Sequence, residues 1–314
     1  MTYFQTYNWY NSLLPYSCGD CKKYESRYVA LSKNGSVKVI APIFVIKRSF
    51  RLVNKKGVYL IGYGGWSDYL NFIYDDASGE DIEFIINDIN NHYGCHSFFF
   101  EDMPEKSLLY LTIKEKYSIV KDISTICIGL TVPETLGAYL DLLSKNTKQN
   151  LRTSANRLAN AGLSIRLDFD DNEIEKKQCE ELRSERLHSI NKRLSLIKRL
   201  KIRVAVFLRF AFRSDIPFYM DANSHIMTLY INNELAAFLN YGLDQVHKRI
   251  VIMAVGTSEK YGRYSPGLLL AYEYIKNQID KREIEVVDFT RGNEKYKYSL
   301  GGKEHYNHHV VFSI

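Results

Sequence analysis

The chain has 314 residues, 46% of them hydrophobic and 25% charged, and carries a net charge of +6. This composition supports a folded core and excludes a disordered tail, a collagen-like repeat and a small disulfide scaffold. Single cores stop growing near ~250–300 residues, so the length points to two domains; 42 basic against 36 acidic residues is too mild an excess to announce a nucleic-acid binder.

From the start of the chain, residues 1–15 lack the basic and apolar regions of a secretory leader. Cys18 and Cys21 form a Cys-x-x-Cys pair, and His92, Cys95 and His96 offer further ligands. Zinc wants two well-spaced pairs, and the second group is irregular and distant. A surface loop with scattered side chains is the favoured reading, and no metal is expected. The 5 cysteines are odd in number, which argues against a disulfide framework and fits a reducing cytosol. Strands are predicted over 27–31 and 37–45, joined by the turn Lys33-Asn34-Gly35-Ser36, and again over 58–61 ahead of Gly62-Tyr63-Gly64-Gly65-Trp66. Ile82, Ile85, Ile86 and Ile89 recur at helical spacing within 82–92, while 97–100 and 117–130 read as extended. No apolar run approaches the about 20 residues of a membrane span. A domain boundary is placed at 130/131.

Beyond it the pattern changes. A helix is predicted over 144–161, with Leu151, Ala155, Leu158 and Ala159 as its apolar stripe and Gly162 as its stop. Lys145, Lys148 and Arg152 share another face, either a solvated stripe or a contact for a polar ligand. A strand over 163–169 precedes the charged, helix-rich stretch 171–199, which carries His188, and a further helix over 204–212. Basic and apolar residues alternate through 192–213 without forming a recognisable nucleic-acid module.

Three strands follow, over 225–231, 235–243 and 249–255. Asn232-Asn233 joins the first two, because asparagine tolerates positive φ. The loop 256–264 leads to Ser265-Pro266-Gly267. Ser265 is expected as the N-cap and Pro266 as the first residue of a helix that runs to 281 and packs through Leu268, Leu269, Tyr272 and Ile275. The amides of Gly267, Leu268 and Leu269 have no partner in a first helical turn and, with the helix dipole, favour a phosphate there. A strand over 284–289, a short helix over 293–299 and a strand over 309–314 complete the chain. His305, His308 and His309 are expected as packed or solvated side chains.

Three segments resemble the GNAT acyltransferase superfamily, and within it the cellulose-biosynthesis-type acetyltransferases related to the Fem-type peptidoglycan aminoacyltransferases. They are Asp288-Phe289-Thr290-Arg291-Gly292-Asn293-Glu294-Lys295-Tyr296-Lys297, the loop Tyr264-Ser265-Pro266-Gly267-Leu268-Leu269-Leu270, and the helix from Lys148-Gln149-Asn150-Leu151-Arg152 to Leu158. The likeness is good over 131–314, and Gly64-Gly65-Trp66-Ser67-Asp68-Tyr69 resembles a stretch of the family's N-terminal domain. It implies an α/β fold of two tandem GNAT-like domains with mixed, mostly antiparallel sheets flanked by helices. Residues 1–130 would form a degenerate domain and 131–314 the catalytic one.

The resemblance also implies an acyl-CoA donor, acetyl-CoA first, with its pyrophosphate on the amides of Gly267, Leu268 and Leu269 beside Arg263 and Ser265. Fem-type relatives use aminoacyl-tRNA, so that donor stays open. The acceptor would be an amine or hydroxyl of a sugar, nucleotide sugar or polysaccharide precursor, met by Lys148, Arg152, Arg291 and Tyr241. Asp288 is expected as a base or acceptor-orienting group, or else as the partner of Arg291 or Lys297. Tyr296 is expected as general acid or as a core aromatic, and Lys297 as a further catalytic candidate or anion contact. A backbone amide at the end of strand 249–255 would stabilise the oxyanion. A GNAT-fold binding protein without turnover and a nucleic-acid binder are the readings from other classes.

Overall fold

The computed structural model describes residues 3–11, 24–46, 56–63, 67–192 and 224–314. The β-branched and aromatic runs of the first part become β1 (Tyr24–Lys33), β2 (Ser36–Ile46), β3 (Gly57–Leu60) and the short β4 (Ile73–Tyr74). Helix α1 (Gly79–Tyr93), β5 (Ser97–Pro104), α2 (Leu108–Lys116) and β6 (Ser118–Thr131) follow. Next come α3 (Leu136–Leu142), α4 (Lys145–Asn160), β7 (Ile165–Asp168) and α5 (Lys176–Lys192). The chain ends with β8 (Ser224–Ile231), β9 (Glu234–Asp244), β10 (Arg249–Thr257), α6 (Pro266–Lys281), β11 (Val286–Arg291), α7 (Lys295–Ser299) and β12 (Lys303–Ser313). The Cys18/Cys21 pair, the Gly64-Gly65-Trp66 triplet and the helix expected over 204–212 lie outside the described residues. No helix among the described residues is long and apolar enough to cross a membrane.

These elements form two compact units. One takes the described residues up to Cys127 together with His305–Ile314, and the other takes those from Ile128 to Glu304. In the first unit the strand order is β1-β2-β3-β5-β12, with β4 on β2; all neighbours are antiparallel except β3 and β5. The isoleucines at helical spacing in α1 seal one face of this sheet together with Leu109, Tyr110 and Ile113 of α2, over Phe98, Phe100, Val310 and Phe312. Ser78 and Asp81 close a capping box at the start of α1, and left-handed Gly94 ends it.

In the second unit the order is β6-β11-β10-β9-β8-β7, with β6 contributing from Ile128 onward. Asn232 and Asn233 both take positive φ, as a tight hairpin turn between β8 and β9 requires. On β9, Phe238 packs with Cys179 and Leu182 of α5, whereas Tyr241 meets Tyr274 of α6. Residues three apart on a strand point to opposite faces, so α5 and α6 cover opposite sides of this sheet.

Several expectations need correction. Helix α4 buries Thr147, Leu151, Ser154 and Leu158, leaving Ala155 and Ala159 exposed, because its packed stripe is rotated by one position. On α6 the buried stripe is wide and includes Leu269, Leu270, Ala271, Tyr274, Ile275 and Ile279, with Leu268 and Tyr272 at its margin. Helices α2 and α3 were not anticipated.

Candidate active site

The feature that organises the second unit is a split between neighbouring parallel strands. β10 and β11 pair only over Arg249–Val251 and Val286–Asp288. β10 then continues to Thr257 against β9 alone, with a one-residue bulge at Met253 between Ile252 and Ala254. β11 turns away at Thr290, a β-branched residue at φ 58°. Two bonds hold that strained backbone. Asp288 Oδ1 accepts from the Thr290 amide at 2.8 Å, and Thr290 Oγ1 donates to the Ile252 carbonyl at 3.0 Å.

Helix α6 starts beside the free end of β10. Pro266 occupies its first position as expected. Ser265 departs from expectation: it is left-handed (φ 50°) and its hydroxyl does not cap the helix. The preceding turn explains this, because the Ser265 amide is bonded to the Gly262 carbonyl and the chain must reverse there before its own carbonyl can receive Leu269. Gly267 is buried, and a Cβ there would come within 2.7 Å of Thr257 Cγ2. The loop ahead of the helix is anchored to α4, where Arg157 donates to the Arg263 carbonyl at 3.2 Å. A cavity of about 540 Å³ opens here, lined by Arg157, Asn160, Ala161, Arg263 and Tyr264. Two arginines thus line a cavity at the loop that leads into the helix start, a setting suited to phosphate groups. Arg157 was missed by sequence reasoning. It lies 106 positions from its partner Arg263, and nothing local marks it.

The residues expected to carry the chemistry fall into different roles. Asp288 is 1% exposed, accepts from Thr290 and lies 3.7 Å from Arg249 Nη1. Placed this way it shapes the split instead of facing an acceptor, so the expected role as base does not fit its burial. Lys297 is also buried. Its Nζ donates to the carbonyls of Thr290, Arg291 and Gly292 at 3.2, 2.7 and 3.1 Å and pairs with Glu294 at 2.9 Å. It fastens the turn between β11 and α7, which removes it from the catalytic candidates.

Tyr296 lies beside the split. Its ring is edge-on to Phe289. Burial pushes its phenol up to about 12, an effect that the Arg186 guanidinium opposes. Arg186, on α5, sits 5.9 Å from the Tyr296 ring centroid and donates through Nη1 to the Val255 carbonyl at 3.0 Å.

The acceptor candidates do not converge. Lys148 donates to the Leu140 carbonyl and so caps the end of α3. Arg152 is exposed on α4, His188 is exposed on α5, and Arg291 is half-buried at the end of β11. Tyr241 donates to the Phe169 carbonyl at 3.1 Å and packs toward the second half of α6, away from the helix start. Its phenol is raised by burial. In the other unit the three histidines of β12 all have polar partners. His305 meets Tyr69, His308 meets Asp122, and His309 lies between Glu101 and Asp102. Cys95 is buried, while His92 and His96 are exposed.

Residues 145–298 match the family model described as the acetyltransferase (GNAT) domain. Among solved structures the chain is similar to FemX, at a TM-score of 0.61 and 9% identity, covering 98% of this chain and 91% of that one. It is also similar to L-PGS from Bacillus licheniformis, at a TM-score of 0.52 and 12% identity over 92% and 83% of the two chains. A conserved protein of unknown function from Bacteroides thetaiotaomicron scores 0.52 at 10% identity over 95% and 88%. At these identities the likeness is one of fold. No curated protein matches the sequence of the chain.

Proposed function

We propose that this protein is an acyltransferase that moves an acyl group, acetyl first, from acyl-CoA onto an amine or hydroxyl of a sugar or polysaccharide precursor in the cytosol. The observation that carries the reading is the split between β10 and β11, with the start of α6 at its free end. The donor's phosphates would meet the amides of Gly267 and Leu268, the expected third amide, that of Leu269, being already bonded to the Ser265 carbonyl at 3.0 Å, together with the guanidinium groups of Arg157 and Arg263, and its pantetheine arm would run into the split. There the acceptor's lone pair attacks the thioester carbonyl carbon. A backbone amide of β10 at its Met253 bulge receives the developing oxyanion. As the C–S bond breaks, the Tyr296 hydroxyl, protonated throughout the neutral range, supplies the proton taken up by the thiolate. The acceptor's own proton passes to solvent.

The sequence resemblance to the Fem-type aminoacyltransferases supports a second donor, aminoacyl-tRNA. Thermal unfolding separates the two. A CoA-dependent enzyme held at 100-fold excess over Kd of acetyl-CoA gains about 2.7 kcal/mol, several degrees in Tm. Gly267→Glu, which puts a carboxylate against the proposed phosphate position, abolishes the gain. No shift with any acyl-CoA, alongside salt-sensitive binding of aminoacyl-tRNA, moves the donor to tRNA.

A further inference from the structure

Where β11 leaves β10, the edge carbonyls of β10 lose their ladder partner. Two side chains replace it. Thr290 takes the Ile252 carbonyl, and Arg186 takes that of Val255, three residues on. The bulge at Met253 brings these two carbonyls to the same edge of the strand, so both face into the split. Arg186 reaches it from α5, on the face of the sheet opposite α6 and its phosphate-suited loop.

Among the described residues the charge of Arg186 is unbalanced. The guanidinium is half-buried, and its partners are the neutral Val255 carbonyl and the Tyr296 phenol. Among the described residues no carboxylate lies within ion-pair distance of it. In the resting enzyme the Tyr296 phenol beside it is neutral and supplies no counter-charge. A partly desolvated guanidinium without a counter-ion is costly, and its fork geometry fits a carboxylate or a phosphate.

We propose that Arg186 is the specificity residue of the acceptor site and that the acceptor carries an anionic group, carboxylate or phosphate, near its nucleophile. This rests on the acyl-transfer reading for the word acceptor, but its first test needs no donor. Equilibrium binding of glucosamine, glucosamine 6-phosphate and muramic acid is measured by calorimetry on the wild type, Arg186→Lys and Arg186→Gln. Glutamine removes the charge but is shorter than the guanidinium that reaches the Val255 carbonyl, so thermal unfolding of each variant is measured alongside to separate a loosened strand edge from a lost anion contact.

The expected result is binding of one anionic sugar at least tenfold tighter than glucosamine, phosphate and carboxylate arms telling the two anions apart. That preference is lost in Arg186→Gln, partly kept in Arg186→Lys, and independent of added acetyl-CoA. In turnover, Arg186→Gln raises KM for the anionic sugar much more than it lowers kcat. Wild type that binds none of the three, or that binds them equally, overturns the proposal. So does Arg186→Gln that keeps the preference. Failure of acetyl-CoA to bind, with the anionic preference intact, would instead remove the donor assignment alone.

Discussion

Replacing Lys297 by methionine separates a structural lysine from a catalytic one. The side chain is 3% exposed, and its ammonium donates to three carbonyls of the 290–292 turn beside the Glu294 carboxylate. Hydrogen bonds to a charged group contribute about 1.5–3 kcal/mol each. Removing the ammonium from water takes back several kcal/mol. The balance leaves a net loss of about 3 kcal/mol for Lys297→Met, in which the carbonyls of Thr290, Arg291 and Gly292 lose the ammonium they share. For units of this size that lowers Tm by roughly 6–12 °C. Scanning calorimetry or urea unfolding at pH 7 reads it directly. A variant that melts within about 2 °C of the wild type yet has lost turnover would refute the reasoning and return Lys297 to the chemistry.

Gly256→Ala should destabilise by about 1–3 kcal/mol, because its Cβ would sit 2.1 Å from Phe238 Cε1; Phe238→Leu in the same chain should restore part of the loss, seen by denaturant unfolding. Arg282→Gly should raise Tm, since the exposed Arg282 ends α6 at φ 57°, where glycine is favoured by about 1 kcal/mol; a lower Tm would contradict it. The Asp102 and Glu101 carboxylates, which accept from the His309 ring and favour its protonated form, raise it from 6.5 to about 9. Its proton is therefore held more tightly when folded, so its stabilisation is complete below about pH 6.5 and fades as the pH climbs through 9. Unfolding measured from pH 6 to pH 10 should show that decline, and His309→Asn should flatten it.

What the sequence revealed was set by local rules. Ser144 and Gly162 bracket α4 because capping acts within one turn, and Asn232-Asn233 specifies its hairpin through its own backbone preference. Pro266 fixes the first residue of α6 in the same way. What stayed hidden depends on distant partners. Arg186 meets Val255 across 69 positions and Arg157 meets Arg263 across 106, and neither spacing leaves a periodic trace. Lys297 shows a further limit: its carbonyl partners are only five to seven residues away, but their arrangement requires the left-handed Thr290, which a threonine does not advertise. Helix α2 escaped notice because Thr112 lies buried in its packed face alongside Leu109, Tyr110 and Ile113, blurring the apolar period.

The path of β12 has a consequence for how the molecule is made. The strand that Phe98 and Phe100 pack beside in the first unit is supplied by the final residues, with Asn307 opposite Pro104. Until those residues leave the ribosome, β5 has an open flank and the apolar surface meant for Val310 and Phe312 stays uncovered. Closing that contact spans roughly 200 residues of chain, an entropic cost paid late in synthesis. The unit that begins to be made first thus closes only once 305–314 are available, and deleting 310–314 should damage it.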